Sequence, residues 1–106
     1  MELECDRIAK YVLPAVRVSV AEGMKNEYSM SQQKIAQKLG VAQVAVSKYL
    51  NGRYSDNVKR IRDYIIKKKL ADKIIKSAAG SSHKDALNIM MEDLCARIIN
   101  DDNIVV

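Results

Sequence analysis

Tryptophan and phenylalanine are absent from the 106 residues, and five tyrosines make up the whole aromatic complement. The core must therefore come from Ile, Leu, Val and Met, with tyrosine in support. No apolar run approaches the length that spans a bilayer. The first residues, MELECDRIAK, open with acids and contain no apolar signal core, so export is not expected and a cytoplasmic protein is. Cysteine and histidine are scarce. Cys5 and Cys95 lie far apart without CxxC spacing, and His83 is the one histidine, too few ligands for a structural zinc site. The two thiols are either reduced and partly buried, or joined as a disulfide that ties the ends of the chain. Nothing near His83 resembles a catalytic triad, and no glycine loop suited to phosphates is present. An enzyme, a metal and a cofactor are therefore not expected. With 48% apolar residues, the length fits one small domain over residues 1–106.

One stretch, SQQKIAQKLGVAQVAVSKYLNG from Ser31 to Gly52, carries most of the local signals. Ile35, Ala36 and Leu39 have the spacing of one buried helical face. Ser31 is a suitable N-cap, and Met30 and Ile35 stand where a hydrophobic staple would place them. Gly40 then stops the helix, because a residue without Cβ enters the left-handed region cheaply. Val46, Tyr49 and Leu50 form a second stripe, closed by Asn51-Gly52. Two short helices across a tight turn are expected. Ala36 and Val46 fall where they must approach closely, so a large side chain at Ala36 should break the crossing.

With its pattern of Gln32, Ala36, Gly40, Val41, Val46 and Asn51-Gly52, this segment resembles the helix-turn-helix of the lambda repressor and Cro (XRE-type) family. The segment around Tyr11-Val12-Leu13-Pro14-Ala15 resembles a group of small archaeal predicted transcriptional regulators. Ala42 departs from the first pattern: serine or threonine is frequent there, so a capping hydroxyl and a phosphate contact are missing. The resemblance implies double-stranded DNA as partner, with the second helix in the major groove. Carried over by position, Gln43, Val44, Ser47, Lys48 and Asn51 form the groove face. They also share the helical face opposite Val46 and Leu50. Gln43 suits adenine, Lys48 guanine and Val44 a thymine methyl. Gln32 and Arg53 are placed for phosphates, and Gln33 joins the DNA-facing set.

Charge follows the same division. Residues Met1 to Tyr28 sum to minus one, and those after Lys76 to minus three. From Ser29 to Lys76, twelve Lys and Arg face three Asp, a net of plus nine. The fold expected is all-α, a small bundle of five to six helices. Residues 1–28 form a helix kinked or divided at Pro14, with Ile8, Val12, Ala15, Val16 and Val20 inside and a frayed end and loop from Gly23 to Ser29. A basic helix over 55–76 is capped by Ser55 or Asp56; it points Val58, Ile61, Ile65 and Leu70 inward and Lys59, Arg60, Arg62 and Lys67 to Lys69 outward. After the loop Ser77 to Ser82, a capping box of Ser82 and Asp85 opens a last helix over 82–100. Its broad stripe, Ala86, Leu87, Met90, Met91, Leu94, Cys95 and Ile98, either closes the core or pairs with a second copy. A homodimeric transcriptional regulator is the leading expectation. The alternative is an antitoxin-like interaction module that grips a partner through the last helix. Whether a small molecule controls either is not written in the residues.

Overall fold

The computed structural model describes residues 4–80 and 84–100, with side chains from Lys10 onward. The side chains of Cys5 and Ile8, and Ser82, His83 and the tail from Asp101, lie outside what is described, and with them the expectations for those residues and for the Ser82 capping box. The described residues form six helices: α1 (Glu4–Tyr28), α2 (Gln32–Leu39), α3 (Gln43–Leu50), α4 (Asp56–Lys67), α5 (Asp72–Ala79) and α6 (Lys84–Ile99). The all-α bundle expected from the sequence is the observed fold.

The bundle is arranged around α1. Val12, Ala15, Val16, Val18, Ser19, Val20, Ala21 and Met24 are all buried, so the helix is enclosed on every side, and each of the other five packs on it. A helix apolar all round belongs inside a core. It is also continuous: Pro14 neither divides it nor ends it. A few residues on, the buried Ser19 hydroxyl donates to the Ala15 carbonyl at 2.8 Å and so satisfies its own polar group within the helix.

The expected loop after Gly23 is helix instead. A Cβ built at Gly23 would stand 2.8 Å from Ile75 Cγ1, and nearer still to Cδ1. This glycine is a point of close approach between α1 and α5 rather than a chain break. The helix ends later, at Ser29, which takes a left-handed φ of 55°.

The expected basic helix over 55–76 is two helices. Ser55 caps α4, accepting from the Val58 N–H at 3.3 Å. The chain then turns at Lys69, whose φ is 56°. Lys69 N–H bonds the Ile66 carbonyl and Leu70 N–H the Ile65 carbonyl, the paired bonds of a Schellman ending. Lysine fills the place that glycine usually takes, so the sequence carries no visible stop. The break lets α5 turn onto α1 and α6 and bury Ile74, Ile75 and Ala78.

The last helix closes the core. Leu87, Met91, Leu94 and Ile98 are buried and the helix packs on α1, α2 and α5, so these four residues of the stripe are spent inside the chain, while Met90 and Cys95 are half-buried and Ala86 is exposed. Cys95 is half-buried with a free thiol, and burial, the main cause, pushes its pKa up to about 11. It stays a protonated thiol at neutral pH.

Holding a lysine in the left-handed region costs about 1–2 kcal/mol. Lys69→Gly should accordingly raise stability by about 0.5–1 kcal/mol after the larger unfolded-state entropy of glycine is deducted. A urea or thermal melt reads this directly, and a fall in stability would contradict the ending described.

Candidate nucleic-acid interface

Helices α2 and α3 form the two arms of the motif. Ser31 caps α2, its hydroxyl accepting from Lys34 N–H at 3.1 Å. Gly40 ends the helix at φ 71°, and Val41 N–H bonds the Ala36 carbonyl at 3.1 Å. The turn also lies beside the flexible side chain of Lys84. A Cβ at Gly40 would lie 3.1 Å from Lys84 Cγ and closer to Cδ. Ile35, Ala36, Leu39 and Val46 are buried, as the small-residue crossing requires.

Val46 is the single fully buried residue of α3. Tyr49 and Leu50 are half-buried against the core, and the other face is open. Gln43, Val44, Lys48 and Asn51 are exposed and Ser47 is half-buried. Val44 is 64% exposed, an aliphatic side chain left in water on the first turn of a helix. Asn51 Nδ2 donates to the Ser47 carbonyl at 2.8 Å and to Ser47 Oγ at 3.3 Å, so these two residues hold each other at the end of α3. Gly52 and Arg53 complete the ending: Gly52 N–H bonds the Tyr49 carbonyl and Arg53 N–H the Lys48 carbonyl.

The N-terminus of α3 carries no side-chain cap, because Ala42 has no hydroxyl to offer. On α2, Gln32 is half-buried and Gln33 exposed, both in the first turn. Arg53 is exposed just beyond α3. Next to it, Tyr54 is half-buried beside Glu22, Arg62 and Asp63; burial first, then the Glu22 charge, raises its pKa. The connector that seemed only a link is anchored through this tyrosine.

Arg62 needs correction. The sequence placed it with the outward cations, yet it is half-buried and turned to α1. Its Nε donates to Glu22 Oε1 at 2.7 Å and Nη2 to Oε2 at 3.0 Å, a two-pronged pair, while Nη1 meets Asp63 at 2.6 Å. The bonds to Glu22, before any other cause, raise its pKa further and fix its charge. Lys38 is also committed, donating from Nζ to the Gly80 carbonyl at 3.2 Å where α5 ends. Lys59, Arg60, Lys67, Lys68 and Lys69 are exposed.

A helix-turn-helix family model matches residues 21–65, from the second half of α1 to near the end of α4. The matched segment, under half of the chain, is similar to that helix-turn-helix family and includes both arms of the motif. The match does not reach Tyr11 to Ala15. No curated protein and no solved structure matches the chain. Among the described residues, no helix is long and apolar enough to cross a membrane.

Two outcomes test this geometry. Ala42→Ser should supply the missing cap of α3 and add about 1 kcal/mol of stability, seen as a higher urea midpoint. Arg62→Ala should cost about 1–3 kcal/mol because it strips a partly buried carboxylate of a two-pronged partner. It should leave the salt dependence of any DNA binding unchanged; a shallower salt slope would mean that Arg62 touches phosphate after all.

Proposed function

We propose that the chain is a sequence-specific, double-stranded DNA-binding transcriptional regulator of the cytoplasm, with α3 in the major groove. The observation that carries this is the open face of α3. A helix held by one buried valine presents Gln43, Val44 and Lys48 to solvent at the motif's reading position. Gln43 reads adenine and Lys48 guanine, while the exposed Val44 covers a thymine methyl. Ser47 and Asn51 contribute as an interlocked pair. Gln32, Gln33 and Arg53 contact phosphates, and the uncapped first turn of α3 leaves backbone N–H groups suited to an anion.

The protein acts as a homodimer on a two-fold-symmetric site. On α6, Ile89 is 66% exposed and is available to such a contact.

Selection of bound duplexes from a random pool, at low and at physiological salt, tests the proposal. A short two-fold motif with half-sites about one helical turn apart is expected. Gln43→Ala should relax preference at one base pair by about 1–3 kcal/mol, whereas Arg53→Ala should weaken all sequences alike and lower the salt slope by about one. No enriched motif, or equal losses on every sequence from Gln43→Ala, would refute the base-reading role.

A further inference from the structure

Ser47 stands at the centre of the open α3 face. It lies one helical turn from both Gln43 and Asn51, with Val44 and Lys48 on the same side of the helix. A serine inside a helix can turn its hydroxyl back to the carbonyl four residues earlier. Ser19 does so on α1, donating to Ala15 at 2.8 Å. Ser47 does not. Among the described residues its hydroxyl donates to no group, and its Oγ instead accepts from Asn51 Nδ2 at 3.3 Å.

The Asn51 amide is oriented by its other bond. Nδ2 lies 2.8 Å from the Ser47 backbone carbonyl, and a carbonyl only accepts, so it is the amide nitrogen and not Oδ1 that is turned to the helix. With Nδ2 shared between two oxygens of Ser47, Asn51 does not make the bidentate pair with adenine, which needs both amide atoms on the base. The effect on Ser47 is the opposite. A hydroxyl that accepts a bond becomes a better donor, because hydrogen bonds in a chain polarise one another. We infer, resting on the placement of α3 in the major groove, that Ser47 donates its hydroxyl proton to a base edge and that Asn51 is its positioning residue. On that edge guanine offers N7 and O6, adenine N7 and thymine O4, whereas cytosine offers only its amino donor. Cytosine is the base that Ser47 rejects on the strand it faces.

The test is selection of bound duplexes from a random pool by the full chain and by Ser47→Ala, Asn51→Ala, the double variant and Gln43→Ala, with a thermal melt of each. The unaltered chain should deplete cytosine on the order of tenfold at one position of its motif. Ser47→Ala should abolish that depletion and leave the other positions as they were. Asn51→Ala should abolish it too, since the freed hydroxyl turns back to the Gln43 carbonyl, and the double variant should lose no more preference than either single variant. Gln43→Ala should relax a different position and keep the depletion. An Asn51 that only closes the helix would instead give a lower melt and equal weakening on every sequence with the depletion intact, which overturns the inference. If Asn51→Ala does not fold, Ser47→Ala decides. Should Gln43→Ala relax a position while Ser47→Ala relaxes none, the reading of α3 stands and the role of Ser47 falls; if no motif is recovered, both fall.

Discussion

Everything in this fold depends on α1 being enclosed. A helix with Val12, Ala15, Val16, Val18, Val20, Ala21 and Met24 all out of water has no solvent face along that stretch, so its neighbours need offer only one apolar stripe each. The short α2, α3 and α5 are eight residues apiece, below the length at which an isolated helix persists in water. Their stability is borrowed from packing. Small and β-branched residues along α1 keep that packing close, and at Gly23 the approach is so tight that Ile75 occupies the space a side chain would need.

This arrangement frees the surface that can read a ligand. Because the centre is supplied by α1, α3 is secured by Val46 with help from Tyr49 and Leu50, and its exposed positions Gln43, Val44 and Lys48 carry no packing duty. Side chains without a packing duty can be chosen for recognition. Rigidity comes from the ends: α3 is closed by the paired bonds at Gly52 and Arg53 and by the Asn51–Ser47 contacts. The following connector is anchored by Tyr54 beside the Glu22–Arg62 pair. The open face is therefore mounted on a fixed frame.

What was legible in the residues follows from what each signal measures. Ser31, Gly40, Ser55 and Gly52 act through local backbone chemistry, and all four serve the local roles their residue types suggest. Lys69 does the same work as Gly40 without the residue type that announces it, so the break between α4 and α5 was hidden. Gly23 misled in the opposite sense, since a glycine demanded by a neighbouring side chain looks identical to one demanded by a turn. The α6 stripe was readable as apolar but not as occupied, because periodicity reports that a face is buried and not by what. The exposed residues of α3 follow the motif's spacing, yet their contacts with a base lie beyond anything that spacing measures.

Charge shows the same limit most sharply. The block from Ser29 to Lys76 holds a net of plus nine, and as a sum it suggests one continuous basic surface. The structure divides it. Arg62 is turned inward to Glu22 and Lys38 is placed on the end of α5, so each stabilises the fold at close range, where geometry rather than ionic strength governs its strength. Lys48 and Arg53 stand at the helix-turn-helix, while Lys67, Lys68 and Lys69 stand where α4 ends. Cations separated by more than a Debye length in saline, about 8 Å, act on a ligand almost independently. Lys59 and Arg60, exposed on α4 between these two regions, are the cations that can join them, so how much of the plus nine faces one ligand is set by that helix and not by the sum.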